Sequence, residues 1–220
     1  MILIELTGDE GHPAYQELAV SNGERQYDFL KSIVTSALAL NKPFLSQQII
    51  RALNYHAIAC LHPNAGELRP CQVTINGSPH QPPEYFRVQS LMDDFINSVN
   101  HAWESTDPVV LATFVLWRLN HIHPFINGNG RTARAACLFV LCVKFKGWIA
   151  GEPILPELIK KNKVEYTAAL VDADESAKKG VLDLSRLHIL VASLLDQQVS
   201  TARPELTVAN NPSNPEKQDA

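Results

Sequence analysis

Apolar residues recur every three or four positions through most of the chain. Side chains at that spacing share one face of an α-helix, so the pattern predicts helices that bury an apolar stripe. Residues 1–20 are weakly patterned, and we expect a short strand there followed by a loop. The predicted helices cover residues 25–40, 46–61, 88–99, 109–120 and 131–145, with at least two more near 157–176 and 184–199.

The segment between residues 67 and 84 has a different pattern. Val73 and Ile75 alternate with polar neighbours, which is the two-residue period of a half-buried strand. Asn76 and Gly77 follow directly, and this dipeptide favours a tight hairpin turn. The pattern therefore predicts a mostly α-helical fold with one β-hairpin.

The composition favours one domain without a nucleic-acid or membrane partner. The chain has 220 residues, of which 45% are apolar, and this is enough to bury one core. Its net charge of -4 provides no positive field for direct nucleic-acid binding. The first residues lack the basic region of a signal peptide, and Lys144 and Lys146 interrupt the longest apolar stretch. We therefore expect a cytoplasmic protein.

One short segment concentrates the candidate chemistry, and it reads His-Pro-Phe-Ile-Asn-Gly-Asn-Gly-Arg-Thr-Ala-Arg from His123 onward. Gly128 and Gly130 can adopt positive φ and turn their N–H groups toward one spot, which makes an anion-binding nest. The apolar run that follows predicts a helix whose positive N-terminal end faces that spot. Arg131 and Arg134 lie on its first turn and can both reach an anion. Because an imidazole titrates near neutral pH, the segment indicates an anion site beside a general base.

Two other interpretations of these residues compete. A glycine-rich turn can simply connect two buried helices, but a connector needs neither the arginines nor the preceding imidazole. His121, two positions before His123, invites a metal-ligand interpretation. Alternate residues of a helix face different directions, and no third ligand lies at a metal-binding spacing in the sequence. We therefore expect His121 to be a partly buried or surface histidine.

The segment resembles the signature of the Fic (Fido) family, His-Pro-Phe-x-Asp/Glu-Gly-Asn-Gly-Arg-x-x-Arg. It matches every specified position except Asn127, which replaces the acidic residue. Further similarity to the family's flap and the helix after it is found at residues 66–69, 73–77, 82–83 and 91–92. Tyr166, with Ala169 and Leu170, resembles the helix that closes the family's nucleotide site.

The resemblance implies a Fic-like helical bundle with one β-hairpin flap. Residues 1–44 would be an N-terminal segment and helix packed on the core, and residues 45–200 would be the Fido domain. Residues 201–220 are mostly polar, with prolines, so we expect a disordered tail there.

The resemblance also implies an activity, the transfer of AMP from ATP to a Ser, Thr or Tyr hydroxyl of a target protein. His123 would accept the hydroxyl proton, Arg131 would neutralise phosphate oxygens, and Arg134 would pair with the rest of the triphosphate. The other residues implied in nucleotide and phosphate binding are Gly128, Asn129, Gly130 and Tyr166.

The flap would position the target. An exposed hairpin edge presents unpaired backbone groups, and a target segment can pair with it as an added strand. By resemblance, Val73, Thr74 and Ile75 form this docking edge. The alternative is an ordinary hairpin that faces solvent.

Asn127 changes the expected metal chemistry. The family's acidic residue binds Mg²⁺, which prefers carboxylate and phosphate oxygens. An amide should therefore bind Mg²⁺ weakly or through water. We keep Mg²⁺ as the expected cofactor and ATP as the co-substrate.

Two further functions stay open. A Fic-fold enzyme can use another donor or direction, as in UMP or GMP transfer, phosphocholine transfer, phosphorylation or removal of AMP. The intact Gly128 and Gly130 favour nucleotidyl transfer over phosphorylation. Alternatively, Asn127 marks a regulatory module that binds nucleotide with little catalysis.

Many family members are inhibited by a helix with the string Ser/Thr-x-x-x-Glu-Gly/Asn, whose glutamate pairs with the residue equivalent to Arg134. The sequence contains no such string: the stretch that ends in Glu10 and Gly11 is one residue too short, and the surroundings of Glu24 do not match. We expect both glutamates to be solvated. A separate inhibitory protein is then a candidate partner.

Overall fold

The computed structural model describes residues 2–41 and 44–202, and helices dominate them. A single turn of 3-10 helix, Tyr85–Arg87, precedes α4. The α-helices are α1 (Leu3–Thr7), α2 (Pro13–Leu40), α3 (Gln47–Ile58), α4 (Val88–His101), α5 (Pro108–Ile122), α6 (Asn129–Lys144), α7 (Leu155–Lys161), α8 (Lys163–Lys178) and α9 (Ser185–Thr201).

Helix α6 lies at the centre of the molecule. Every residue from 135 to 143 is buried, because α6 packs against α2, α3, α5 and α7. A helix that is apolar on all sides needs neighbours all round it. The core therefore fixes the N-terminal end of α6, which carries the histidine and glycine segment.

The N-terminal prediction is wrong. Residues 2–20 hold α1 and the beginning of α2 instead of a strand and a loop. Pro13 occupies the first turn of α2, where its missing N–H costs nothing, and the His12 Nδ1 accepts a hydrogen bond from the Ala14 N–H at 3.2 Å. These two residues begin the helix well before the predicted residue 25.

Helix α2 contacts α3 partly through buried amides. The Asn22 side chain donates to the Ala59 carbonyl at 2.9 Å, and the Gln26 side chain donates to the Leu53 carbonyl at 2.8 Å. Both amides are almost fully buried. Apolar periodicity missed the first half of α2 because polar side chains form part of its contact face.

Two other helices begin where the sequence predicts. The Ser46 Oγ accepts a hydrogen bond from the Ile49 N–H at 3.2 Å and caps α3. The Asp107 carboxylate accepts from the Val109 N–H at 2.8 Å and caps α5. Such side-chain acceptors satisfy amides that lack an intrahelical partner.

The predicted β-hairpin is not formed: residues 69–84, here called the flap, contain no strand. The chain does reverse at Gly77, which has φ 75, and the Ser78 N–H donates to the Ile75 carbonyl at 3.2 Å. Three prolines between residues 79 and 83 remove the N–H donors that a returning strand needs. Side-chain hydrogen bonds hold the flap instead of a ladder.

Arg69 makes most of those hydrogen bonds. Its guanidinium donates to the carbonyl of Cys71 at 3.1 Å and to the carbonyl of Pro83. Its Nε donates to the His123 carbonyl at 2.8 Å, and its backbone N–H donates to the Pro124 carbonyl at 2.8 Å. Arg69, which is 2% exposed, therefore ties both ends of the flap to the turn after α5.

The C-terminal part is helical as predicted, but the stretch near 157–176 forms two helices, α7 and α8, that meet at Asn162. Of the predicted disordered tail, Thr201 is the last residue of α9 and Ala202 is its cap, and the positions after 202 lie outside the described residues. None of the helices in the described part of the chain combines the length and apolar character needed to cross a membrane. The division into an N-terminal segment and a Fido domain stays a prediction.

Candidate active site

His123 lies directly after α5, where the helix turns into the glycine-rich loop. Its φ of 51 and ψ of 58 place it in the left-handed region, which is uncommon for a residue with a side chain. The backbone holds this conformation: the His123 N–H donates to the Leu119 carbonyl at 3.0 Å, and Arg69 binds its carbonyl. The turn therefore fixes the backbone position from which the His123 side chain extends.

The surroundings keep the His123 imidazole neutral. Burial lowers the pKa of His123 to about 4; the Asn120 carbonyl opposes this shift, and the charges of Arg69 and His80 add to it. The His123 Nδ1 lies 3.4 Å from the Asn120 carbonyl, which only accepts hydrogen bonds, so we assign the ring proton to Nδ1. Nε2 then carries a free electron pair at neutral pH and can accept a proton.

Gly128 makes the turn into α6. Its φ is 78, and a Cβ on it would lie 2.7 Å from the Ile58 Cγ2 and 2.9 Å from the Asn54 Nδ2. Asn54 occupies that space because its amide donates to the Asn127 carbonyl at 2.9 Å. Both the backbone conformation and the close approach therefore require glycine here, as the sequence predicted.

Gly130 behaves differently, and the prediction of positive φ is wrong there. It lies in the first turn of α6 with helical backbone. The amides of the first turn have no intrahelical acceptor, and Gly128 provides no side chain to cap them. The anion nest is therefore a helix N-terminus rather than a loop of two left-handed glycines.

The Asn129 side chain stabilises the loop through two hydrogen bonds to the Phe125 backbone. Its Oδ1 accepts from the Phe125 N–H at 2.9 Å, and its Nδ2 donates to the Phe125 carbonyl at 2.8 Å. Asn129 is 4% exposed. These contacts fix the shape of the turn, and a phosphate contact of Asn129 stays a prediction.

Arg134 is a cation without a partner among the described residues: its guanidinium makes neither a hydrogen bond nor an ion pair there. It lies over the first turn of α6, since its Nη1 is 3.2 Å from the position of a Cβ on Gly130. Burial raises the pKa of Tyr166 to about 12, and the charge of Arg134 opposes that shift. The partly buried guanidinium is thus available to an anion at the helix end.

Arg131 is engaged within the protein. Its Nη1 donates to the Ala57 carbonyl at 2.7 Å, and its Nη2 donates to the Asn127 Oδ1 at 3.1 Å. Burial lowers the pKa of Arg131, and the negative charge of Glu10 is among the contacts that oppose this shift. The predicted phosphate contact would require Arg131 to leave at least one of these partners.

Glu10 is exposed to solvent, as expected, but it also contacts the glycine-rich loop. Its Oε1 accepts from the Asn127 Nδ2 at 2.9 Å and lies 3.0 Å from the His62 Nε2. Its side chain remains 54% exposed on the other side. The Glu10-Gly11 pair was the only sequence signal for this contact. Glu24 is exposed on α2, as expected.

The donor atoms around Asn127 do not form a magnesium site of their own. The Asn127 oxygen faces the Arg131 guanidinium, and a second cation at the same oxygen would be repelled. The Glu10 carboxylate is paired with the Asn127 amide and close to His62. Mg²⁺ prefers several freely directed oxygens in an octahedron. Ligation of Mg²⁺ by Asn127 therefore stays a prediction that this arrangement does not favour.

A cavity of about 230 Å³ opens between the flap and α8. His123, Tyr166 and Ile75 line it, so the fold brings together three of the predicted residues from distant parts of the chain. The Asn120 Nδ2 donates to the Tyr166 hydroxyl at 2.9 Å and orients that wall. Arg134 is not part of the lining and approaches the site from the helix end.

The remaining flap residues lie farther out. Val73 and Thr74 line a neighbouring depression, to which Ile75 also contributes. Thr74 is exposed, and Val73 is partly exposed. The sequence did not predict the other polar residues that surround the site, because their partners are distant in the chain: Glu10, Asn54, His62, His80, Asn120 and Asp174.

Comparison with known proteins agrees with this geometry. Residues 44–141 match the family model described as the Fic/DOC family. This match confirms the resemblance of the signature to that family. Over 70 residues the chain is 43% identical to protein adenylyltransferase Fic of Drosophila willistoni and of Drosophila melanogaster. The match covers 31% of this chain but 14% of each relative, so the chain spans a small part of their length.

Solved structures share the fold. Fic-1 from C. elegans has a TM-score of 0.66 and 25% identity, over 90% of this chain and 54% of that one. A Fic family protein from Desulfovibrio desulfuricans has a TM-score of 0.67 and 22% identity, over 87% of this chain and 54% of that one. BepC from Bartonella tribocorum, described with bound AMPPNP, has a TM-score of 0.51 and 14% identity, over 78% of this chain and 86% of that one. The helical bundle is therefore a Fic fold.

Proposed function

We propose that the protein is an adenylyltransferase that moves AMP from ATP to a Ser, Thr or Tyr hydroxyl of a target protein. One observation carries the proposal: a neutral imidazole at His123 precedes an uncapped helix N-terminus, over which lies Arg134, a guanidinium without a partner among the described residues. The curated relatives named protein adenylyltransferase, and a neighbour described with bound AMPPNP, support the same nucleotide.

The reaction needs a base and a cradle for phosphate. The target oxygen attacks the α-phosphorus, and its proton passes to the His123 Nε2, which the ring assignment leaves free. A bond forms between the hydroxyl oxygen and the α-phosphorus, and the bond from that phosphorus to the β-phosphate oxygen breaks. Pyrophosphate leaves with the electron pair of that bond.

The charge that builds up on phosphate would meet the amides of the first turn of α6, from Asn129 to Arg131, and the Arg134 guanidinium. These donors are fixed by the buried body of α6, so they need not reorganise during the reaction. Gly128 makes room for the turn, and Gly130 leaves the face of the helix open.

The other predicted residues would act at the edges of the site. Tyr166, oriented by Asn120, would face the nucleotide in the cavity beside His123. Val73, Thr74 and Ile75 would contact the target, although without a strand they would do so as an irregular loop. Mg²⁺ would come with the triphosphate, since the protein's own donor atoms do not fit it.

A regulatory nucleotide-binding module is the second candidate. It is favoured by Asn127, which replaces the carboxylate of the signature, and whose oxygen accepts from Arg131 while its amide donates to Glu10. Such a module would bind ATP with little turnover. The Asn127→Asp variant separates the two: strong activation indicates a weakened enzyme, and unchanged low turnover indicates a module.

The experiment that tests the first proposal is labelling with α-labelled ATP in a target proteome. The wild-type protein should add a label that corresponds to a mass increase of about 329 Da, which is the AMP moiety itself. His123→Ala should abolish the label, whereas His101→Ala, a change at an exposed histidine at the end of α4, should retain it. Label that survives in His123→Ala would disprove the role of His123, and an added phosphate alone would indicate phosphorylation.

A further inference from the structure

A second group of functional side chains lines the same cavity as His123 but has no role in the proposed transfer. His80 belongs to the flap, His121 to the last turn of α5, and Asp174 to α8. One ligand atom of each lies within 4.8 Å of the others. His121 is partly buried, as expected, but the fold also brings together two imidazoles and a carboxylate that are distant in sequence.

The carboxylate contacts both imidazoles. The His121 Nδ1 lies 2.7 Å from the Asp174 Oδ1, and the His80 Nδ1 lies 3.1 Å from the Asp174 Oδ2. Around a tetrahedral zinc ion with bonds of roughly 2.1 Å, neighbouring ligand atoms are roughly 3.4 Å apart. Small movements of these side chains would therefore fit such an ion.

The His80 ring shows which electron pairs face the centre. Its Nε2 lies 2.8 Å from the His121 carbonyl, an acceptor, so the neutral ring carries its proton on Nε2 and an electron pair on Nδ1. Among the described residues, the buried Nδ1 has no hydrogen-bond partner, although it lies 3.1 Å from the Asp174 Oδ2. In the neutral ring, which is the form that binds a metal, this nitrogen and the carboxylate oxygen can therefore both face one cation.

Contacts around the cluster orient all three groups. The Trp117 Nε1 donates to the Asp174 Oδ1 at 2.9 Å, and the carbonyl of His121 holds the His80 ring. Metal-binding histidines and carboxylates generally have such orienting partners. The His80 and Asp174 side chains are 6% and 8% exposed, but His121 is 21% exposed, so one side remains open to a further ligand such as water.

We propose that His80, His121 and Asp174 bind one divalent transition-metal ion, with zinc as the best match. Two imidazole nitrogens and one carboxylate suit zinc or cobalt, whereas Mg²⁺ prefers oxygen ligands only. The bound ion would join the flap to α5 and α8. The three ligands are not among the residues proposed to bind phosphate. The function of the bound ion would be to anchor the flap.

Titration with Co²⁺ alone, on protein treated with a chelator and then dialysed, tests the site without any measurement of activity. One equivalent of Co²⁺ should give the visible absorption of a low-coordinate nitrogen and oxygen site, and Zn²⁺ should displace it. Asp174→Asn keeps the acceptor for Trp117, and His121→Gln keeps a polar group on α5. Each should weaken Co²⁺ binding at least tenfold.

Matched controls locate the ion. His62→Gln, at the histidine beside Glu10, and His101→Gln, at an exposed histidine, should leave Co²⁺ binding unchanged. Proteolytic cleavage of the flap should slow when Zn²⁺ is added to the wild-type protein, but not to Asp174→Asn. Thermal melting shows that each variant is folded.

Three outcomes would overturn the proposal: no cobalt absorption, a preference for Mg²⁺, or binding that survives both Asp174→Asn and His121→Gln. Without cobalt absorption, only hydrogen bonds and ion pairs hold the cluster together. Binding that survives both substitutions would mean that the metal binds elsewhere. None of the three results depends on whether the protein transfers AMP.

Discussion

The two arginines of the signature lie three residues apart on the same helix, yet the protein uses them differently. Arg131 donates to the Ala57 carbonyl and to Asn127, and the charge of Glu10 acts on it. Arg134 makes no hydrogen bond or ion pair with the part of the chain that the structure describes. A shared motif therefore does not imply a shared role.

The difference follows from what surrounds each guanidinium. Arg131 points toward the end of α3, where carbonyl oxygens need donors, and it stabilises the junction of α3 and the loop. Arg134 lies over the first turn of α6, and its charge acts on Tyr166, but it makes no hydrogen bond with the described residues. We infer that Arg131 chiefly positions the loop and that Arg134 chiefly binds the nucleotide.

The largest expected effect is on stability. Arg131→Ala should lower the free energy of unfolding by about 2 kcal/mol, because it leaves the Ala57 carbonyl without its charged donor. Arg134→Ala should change it by less than about 0.5 kcal/mol. Urea denaturation of both variants measures the contrast, and equal losses would contradict the division of roles.

The next effect is on nucleotide affinity. Arg134→Ala should raise the Kd for ATP about tenfold, which corresponds to roughly 1.4 kcal/mol, because an available guanidinium binds phosphate strongly. Isothermal titration calorimetry measures it. Arg25→Ala removes an equal charge from an exposed position on α2 and should leave the Kd unchanged. If both variants bind alike, Arg134 acts only through the general field of the protein.

A smaller effect is expected from Glu10. Glu10→Gln keeps an acceptor for Asn127 but removes a negative charge near Arg131, so ATP should bind about threefold more tightly, or roughly 0.6 kcal/mol. Glu17→Gln, at an exposed position of α2, is the matched control. Calorimetry at two salt concentrations should show the gain shrinking at high salt. A gain as large in the control would exclude a local effect.

The smallest expected effect near neutral pH is on stability, and it comes from the protonation of His123. Its pKa is lowered to about 4 in the folded protein, so the unfolded chain, with an ordinary value near 6.5, binds the proton first. The stability associated with the neutral ring is complete above pH 6.5 and is lost as the pH falls toward 4. Melting temperatures between pH 7.5 and 4.5 should fall more for the wild type than for His123→Gln, and parallel curves would contradict the lowered pKa.

Local sequence was sufficient for features that depend on neighbouring residues. The beginnings of α3 near Ser46 and of α5 near Asp107, and the left-handed turn at Gly128, were predicted because each depends on residues a few positions away. The glycine-rich segment identified the family for the same reason. These features hold the central helix and its N-terminus in place.

Features that depend on distant residues were missed. The approach of Glu10 to Asn127 and the pairing of Asn22 with Ala59 join parts of the chain that no local pattern connects. The flap was predicted as a hairpin because Val73 and Ile75 alternate with polar residues, but the prolines that follow cannot complete a ladder.

Arg69 has a mechanical consequence for substrate recognition. One buried guanidinium group bonds the carbonyls of Cys71 and Pro83 at the two ends of the flap and the carbonyl of His123. A protein that seats itself on the flap and shifts it must either move the backbone of His123 as well or break charged hydrogen bonds away from water, at a cost of several kcal/mol. If the proposed roles of the flap and of His123 hold, target docking and proton abstraction would depend on the same guanidinium, and a target that fits the flap poorly would also disturb the position of the imidazole.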